Sequence, residues 1–215
     1  MKSFIFLIFI VFSSISYCQD KEKPIYYQDI DESIISLEEF ERKSSYNGIR
    51  NINLYFENDT AYFYKKFPSK RLGRLSPEQL KFLYHSIDEI NTFKINRNNI
   101  IIIQYYPGYE NKYPGNRLSK WNRYHKDYIR KLKKTNKFEF LWVYGNSEGI
   151  ETHHTDRFKW LFDKNKNIQK LFFPFYIRYG SFAIVNQNGE FICVYGEYGK
   201  QTILEACKEI GYKIY

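Results

Sequence analysis

Cysteine is scarce in this chain. Three cysteines in 215 residues cannot build a disulfide scaffold, and no two of them stand in a Cys-x-x-Cys pair. No apolar run reaches the length of a bilayer-spanning helix; the longest, Phe4 to Phe12, falls well short of about 20 residues. No glycine-rich phosphate loop follows a strand-like segment, which removes the dinucleotide and P-loop classes. No cluster of Cys, His and carboxylates has metal-ligand spacing, and no internal repeat or low-complexity tract is present. Neither a cofactor nor a metal is expected. What is abundant is aromatic: 20% of the chain, with 21 Tyr, 19 Phe and 3 Trp, which fits strands and core.

Residues 1–18 read as a signal peptide, with Lys2 as the positive start, Phe4 to Phe12 as the apolar core, and Ser13 to Cys18 as the small and polar exit. Two cuts are open. Cleavage after Cys18 leaves Gln19 as the new N-terminus; cleavage before it leaves a lipidatable cysteine, although the bulky Tyr17 is a poor match to a lipoprotein site. The expected address is periplasmic or secreted, with peripheral membrane attachment only through a lipid on Cys18. The leader removes one cation, leaving 32 basic against 24 acidic residues, hence +8. That charge favours an anionic surface or envelope component as partner, and export argues against nucleic acid.

The remaining length supports one sizeable core. The division expected is a 19–97 N-terminal extension of hairpin and helices, then a 98–215 domain. Ile25 to Gln28 predicts an edge strand, and Ser36-Leu37-Glu38-Glu39 a capping box opening a short helix. Residues 52–57 and 60–67 predict a hairpin. Ser76-Pro77-Glu78-Gln79 opens a helix with Leu80, Leu83, Tyr84, Ile87 and Ile90 on one face, and His85 beside it is a packing or surface residue.

The stretch from Asn99 to Asn116 organises the rest. Ile100 to Tyr106 reads as a strand buried on both faces, and Pro107-Gly108 ends it. A helix is predicted from about Arg117 to Thr135, with Leu118, Trp121, His125, Tyr128, Ile129 and Leu132 inward and seven Lys and Arg residues outward. Phe138 to Tyr144 predicts a parallel strand, and Phe158, Leu161 and Phe162 a short helix. Asn188-Gly189 predicts an antiparallel hairpin, and Ile203, Ala206, Cys207 and Ile210 mark a final helix. His153-His154 invites a metal reading, which adjacency on a regular backbone and the lack of nearby ligands disfavour.

The order from Ile100 onward is strand, helix, strand, helix, strand, strand, helix. That order, with Gly180-Ser181-Phe182-Ala183-Ile184-Val185-Asn186-Gln187-Asn188-Gly189 before the final strand, resembles exported thioredoxin-like proteins related to thiol-disulfide reductases and peroxiredoxins. The resemblance implies a three-layer α/β/α domain around a central mixed sheet. It also implies a Cys-x-x-Cys where the first strand meets its helix, and a facing cis-proline. Here the first place is Tyr109 to Gly115, without sulfur, and the second is Gly180. This is the pattern of a degenerate member that has lost the redox motif.

Three functional expectations follow. The first is a non-catalytic binding or structural module of the cell envelope, whose partner-binding loop carries Tyr105, Tyr106, Tyr109 and Tyr113 with Gly180. The second is a thiol oxidoreductase or peroxidase using Cys193 or Cys207, which the sequence leaves open as free core thiols, a disulfide or a redox pair. The third is anion binding along Lys120 to Lys134. Glu148 and Glu151 near His153 have only their loop placement to suggest chemistry.

Overall fold

A computed structural model describes residues 22–108, 122–134, 137–177 and 180–211. In chain order it places β1 (Ile25–Gln28), β2 (Ile34–Ile35), α1 (Leu37–Arg42), β3 (Ser45–Tyr46), β4 (Ile49–Glu57), β5 (Tyr62–Pro68), β6 (Lys70–Arg74) and α2 (Pro77–Ile90). These are followed by β7 (Ile100–Tyr106), α3 (Lys126–Lys133), β8 (Phe138–Tyr144), β9 (Trp160–Phe162), α4 (Asn167–Phe172), β10 (Ser181–Val185), β11 (Glu190–Tyr195) and α5 (Lys200–Glu209). The protein is mixed α/β with two mixed sheets.

The larger sheet has six strands in the order β6-β11-β10-β7-β8-β9. Strands β7, β8 and β9 run parallel, while β10, β11 and β6 each run antiparallel to the neighbour before them. The isoleucines of β7 alternate between two cores because both faces of the sheet are covered. Ile101, Ile103 and Tyr105 face α2 and α4, packing with Leu83, Ile87, Ile168 and Phe172. Ile102 faces α3 and α5, packing with Tyr128, Leu132, Ile203 and Cys207. A strand with apolar residues on both pleats can rest only between two such layers.

The capping box of α2 is complete. Ser76 Oγ accepts from Gln79 N at 3.2 Å, Gln79 Oε1 accepts from Ser76 N at 2.9 Å, and Pro77 opens the first turn. At α1 only the Ser36 half forms; Glu39 instead meets Lys43 at 3.1 Å. The hairpin β10–β11 pairs Ser181 with Tyr195 through Val185 with Phe191, and Asn186 Oδ1 accepts from both Asn188 N and Glu190 N across its turn.

Four expectations need correction. The segment 160–162 is a strand, not a helix: Trp160 and Leu161 fall into opposite cores, a period of two, and the helix follows at α4. Buried Asp163 opens that helix by accepting from Asn167 N and Gln169 N, both at 2.9 Å. The basic helix α3 begins only at Lys126, so His125 occupies its N-cap and is exposed; Leu118, Trp121 and Thr135 lie outside the described residues. Strand β1 is not an edge, since it lies between β2 and β5 in the five-stranded sheet β2-β1-β5-β4-β3. Finally, Arg123, expected among the outward cations of the basic helix, precedes α3 and is buried; β6 and α2 contribute to the larger sheet and its core.

The smaller sheet absorbs many of the aromatics. Phe56 and Phe63 stack at 5.1 Å and Tyr26 joins them at 5.6 Å, while Tyr27, Tyr64 and Tyr55 line the other pleat. Cross-strand pairing at this spacing accounts for these six rings, of which Tyr26, Tyr55 and Phe56 keep an exposed face.

Candidate functional site

The end of β7 is buried rather than offered to a partner. Tyr105 is 3% exposed, donates to Gln169 Oε1 at 3.1 Å and stacks on Phe173 at 4.7 Å. Burial pushes its phenol well above the ordinary tyrosine value. Tyr106 is 1% exposed, donates to the Glu148 carbonyl at 3.1 Å and packs on the His153 ring at 4.2 Å. Neither side chain forms the expected surface. A β7 buried on both faces buries its last two residues as well, and the sheet pairs β7 with β8 all the way to Tyr106 and Tyr144. Tyr109 and Tyr113 lie outside the described residues. Gly180, just before β10, is buried with φ +83°, and a Cβ there would sit 2.7 Å from the Tyr105 carbonyl oxygen.

Beside that point lies a buried polar cluster which sequence reasoning did not find. Arg123 is 2% exposed, and its guanidinium stacks on Tyr124 at 4.9 Å and on Tyr198 at 4.8 Å. Arg123 Nη2 donates to the Tyr124 hydroxyl at 2.9 Å, and that hydroxyl meets His153 Nδ1. Tyr128 donates to the Arg123 carbonyl at 2.7 Å, and Tyr198 donates to the Ser181 carbonyl at 3.2 Å. Only the chain path past β7 and β8 brings residues 123, 153 and 198 together, so no local spacing announces the cluster.

His153 is held neutral. Burial, then the Arg123 charge and His154, lower its pKa from 6.5 to about 3. With the imidazole neutral, the Tyr124 hydroxyl donates to Nδ1 while accepting from Arg123. Between pH 6.5 and about 3 the unfolded chain binds the proton and the folded one does not. The contribution is therefore complete above pH 6.5 and declines as pH falls through that window. Lowering pH from 7.5 to 5 is expected to cost about 2 kcal/mol through this residue. Urea titrations of wild type and His153→Gln at both pH values check this: the variant should show a smaller loss, and equal losses would contradict it. Glu148 and Glu151 are exposed, and Glu148 reaches the cluster through its backbone carbonyl. His85 is exposed and lies 3.3 Å from Glu89. Among the described residues no three His, Cys, Asp or Glu side chains converge as a metal site.

The two thiols do not meet. Cys193 on β11 faces the α2 and α4 side, whereas Cys207 on α5 lies on the opposite side of the sheet, and both are free with 0% exposure. Of the alternatives the sequence leaves open, a Cys193–Cys207 pairing does not form, because α5 packs on the Ile184 and Ile192 face, the pleat opposite Cys193, and both are free thiols in the core. Burial raises Cys193 to about 11 and Cys207 to about 12, the reverse of what an attacking thiolate needs.

An open concavity with converging cations is a groove of about 490 Å³ beside α3. One wall is the α3 side chains Lys126, Arg130 and Lys133 with Lys134; the other carries Arg157 and Lys159. Positions 126, 130 and 133 share one helical face. The floor is aromatic, with Phe140, Trp142 and Phe158; Trp142 and Phe158 lie 4.4 Å apart. Lys159 Nζ sits 5.1 Å over the Phe93 ring at one end. Sequence reading places the basic stripe on this helix, but only β9 and the loop before it bring the opposite wall. Comparison with protein-family models, with curated proteins and with solved structures finds no match.

Proposed function

We propose that this protein is an exported thioredoxin-like module that acts by binding and not by thiol chemistry. The fold reading draws support from β7, α3, β8, α4, β10, β11 and α5, which follow the thioredoxin order. It also has a parallel pair at the centre, an antiparallel pair beside it, and α3 and α5 together on one face opposite α4. Export rests on the leader-like residues 1–18, with Cys18 the point of membrane attachment only if the cut falls before it. The observation that carries the functional reading is the position of Cys193 and Cys207. Both are sealed in separate cores with raised pKa values, while the chain from Tyr109 to Gly115, where a redox dithiol would stand, has no sulfur.

A thiol oxidoreductase would cycle between dithiol and disulfide, losing two hydrogens on oxidation. The folded protein is therefore equilibrated across a series of glutathione redox buffers and its intact mass followed. No Cys193–Cys207 disulfide is expected at any potential. A reversible loss of two hydrogens assigned to that pair would overturn the reading in favour of the enzyme.

A further inference from the structure

We infer that the groove beside α3 holds a single phosphate-bearing amphiphile, its anionic head between the two basic walls and its alkyl or acyl body on the aromatic floor. This deepens the binding-module reading and rests on it. Six cations, Lys126, Arg130, Lys133, Lys134, Arg157 and Lys159, border one concavity that no carboxylate among the described residues lines. Asp127, the acidic residue of α3, is engaged with Lys200 at 2.7 Å. Arg157 pairs with Asp156 at 3.4 Å; Lys126, Arg130, Lys133, Lys134 and Lys159 form no ion pair with a carboxylate among the described residues. Like charges crowded in this way repel one another, and an anion bound between them relieves the repulsion.

The choice of ligand follows from the two halves of the site. Guanidinium and ammonium groups on facing walls suit a phosphate, which carries more charge and more acceptor oxygens than a carboxylate. The floor asks for something else: Phe140 and Phe158 are partly exposed over the buried Ile129 and Trp142, Phe93 beside them is exposed, and a hydrated inorganic anion would leave that apolar surface wet. A neutral lipid would in turn leave the cations unanswered. The volume of about 490 Å³ lies within the range of small-molecule sites, about 300–1,000 Å³, and suits one chain better than a membrane surface.

The test is isothermal titration of the folded protein with dodecyl phosphate below its micelle concentration. Dodecyl maltoside, inorganic pyrophosphate and anionic phospholipid vesicles are titrated in parallel. One dodecyl phosphate per chain is expected, bound at least about tenfold more tightly than the maltoside or pyrophosphate. The exposed double variant Arg130→Gln/Lys133→Gln should weaken it by about tenfold, and added salt should weaken it further. Equal affinity for pyrophosphate would remove the apolar half of the inference, and equal affinity for maltoside the anionic half; either overturns it. Binding to vesicles alone would overturn it in favour of a membrane surface, and an unaffected double variant would place the ligand elsewhere. None of these outcomes bears on the buried thiols, so the inference and the reading beneath it fail separately.

Discussion

Gly180→Ala is expected to lower the stability of the fold by about 2–5 kcal/mol. The residue has φ +83°, a region that costs an L-residue about 1–2 kcal/mol. Its added Cβ would meet the Tyr105 carbonyl oxygen at 2.7 Å, and that oxygen belongs to the central strand and cannot swing aside as a side chain would. Overpacking of this kind costs about 1–3 kcal/mol more. Gly180 is also tied at both ends, with its N–H donating to the Ile177 carbonyl at 2.9 Å and its carbonyl accepting from Gly196 N at 3.1 Å. Gly196→Ala is the control, because φ there is +87° but nothing lies within 4 Å of the added atom. Urea unfolding of the two variants should separate them by the overpacking component. Equal losses would mean that β7 and the approach to β10 are not in contact as described.

Leu83→Ala is expected to cost about 2–5 kcal/mol, with a single unfolding transition. Leu83 has 0% exposure and packs from α2 into the core shared with Ile101, Ile103, Phe172 and Cys193. If residues before 98 were only an appendage, this truncation would leave the larger sheet intact. Trp142 and Trp160 report on the far edge of that sheet, so tryptophan fluorescence and far-ultraviolet circular dichroism should move together in urea. A fluorescence midpoint unchanged by Leu83→Ala would instead show that α2 folds apart from the sheet.

Local signals in the chain were legible wherever the chemistry that fixes them is local. Ser76, Pro77 and Gln79 mark the start of α2 because capping needs only residues within one turn. The β4–β5 and β10–β11 hairpins were likewise readable from alternation broken by turn residues. Phe158, Leu161 and Phe162 suggest a helix where β9 stands because so short a segment gives too little periodicity, and the decisive partner is β8, some 18 residues earlier. The inward placement of His125 failed for a related reason: the helical pattern was extended back over a turn that does not belong to α3.

The site was less legible than the fold. Tyr105 and Tyr106 follow four isoleucines in a strand whose burial on both faces extends to its last residue, and tyrosine chemistry alone does not tell an exposed ring from a buried one. The cationic stripe of α3 was plain in the sequence, but a stripe becomes a site only when a second wall faces it. Arg157 and Lys159 reach that position through the chain path into β9, which no spacing rule near Lys126 could disclose. Cys193 and Cys207 lie only 14 positions apart, yet the sheet stands between them, because one sits on a pleat of β11 and the other on the helix covering the opposite pleat.

The most direct test of a binding module built on a core with silent thiols is site-resolved alkylation of the folded protein, followed by the same treatment in denaturant. Cys193 and Cys207 should both resist modification while folded and both react fully once unfolded, without prior reductant. Rapid modification of either one in the folded state would reveal an accessible thiolate and contradict the account.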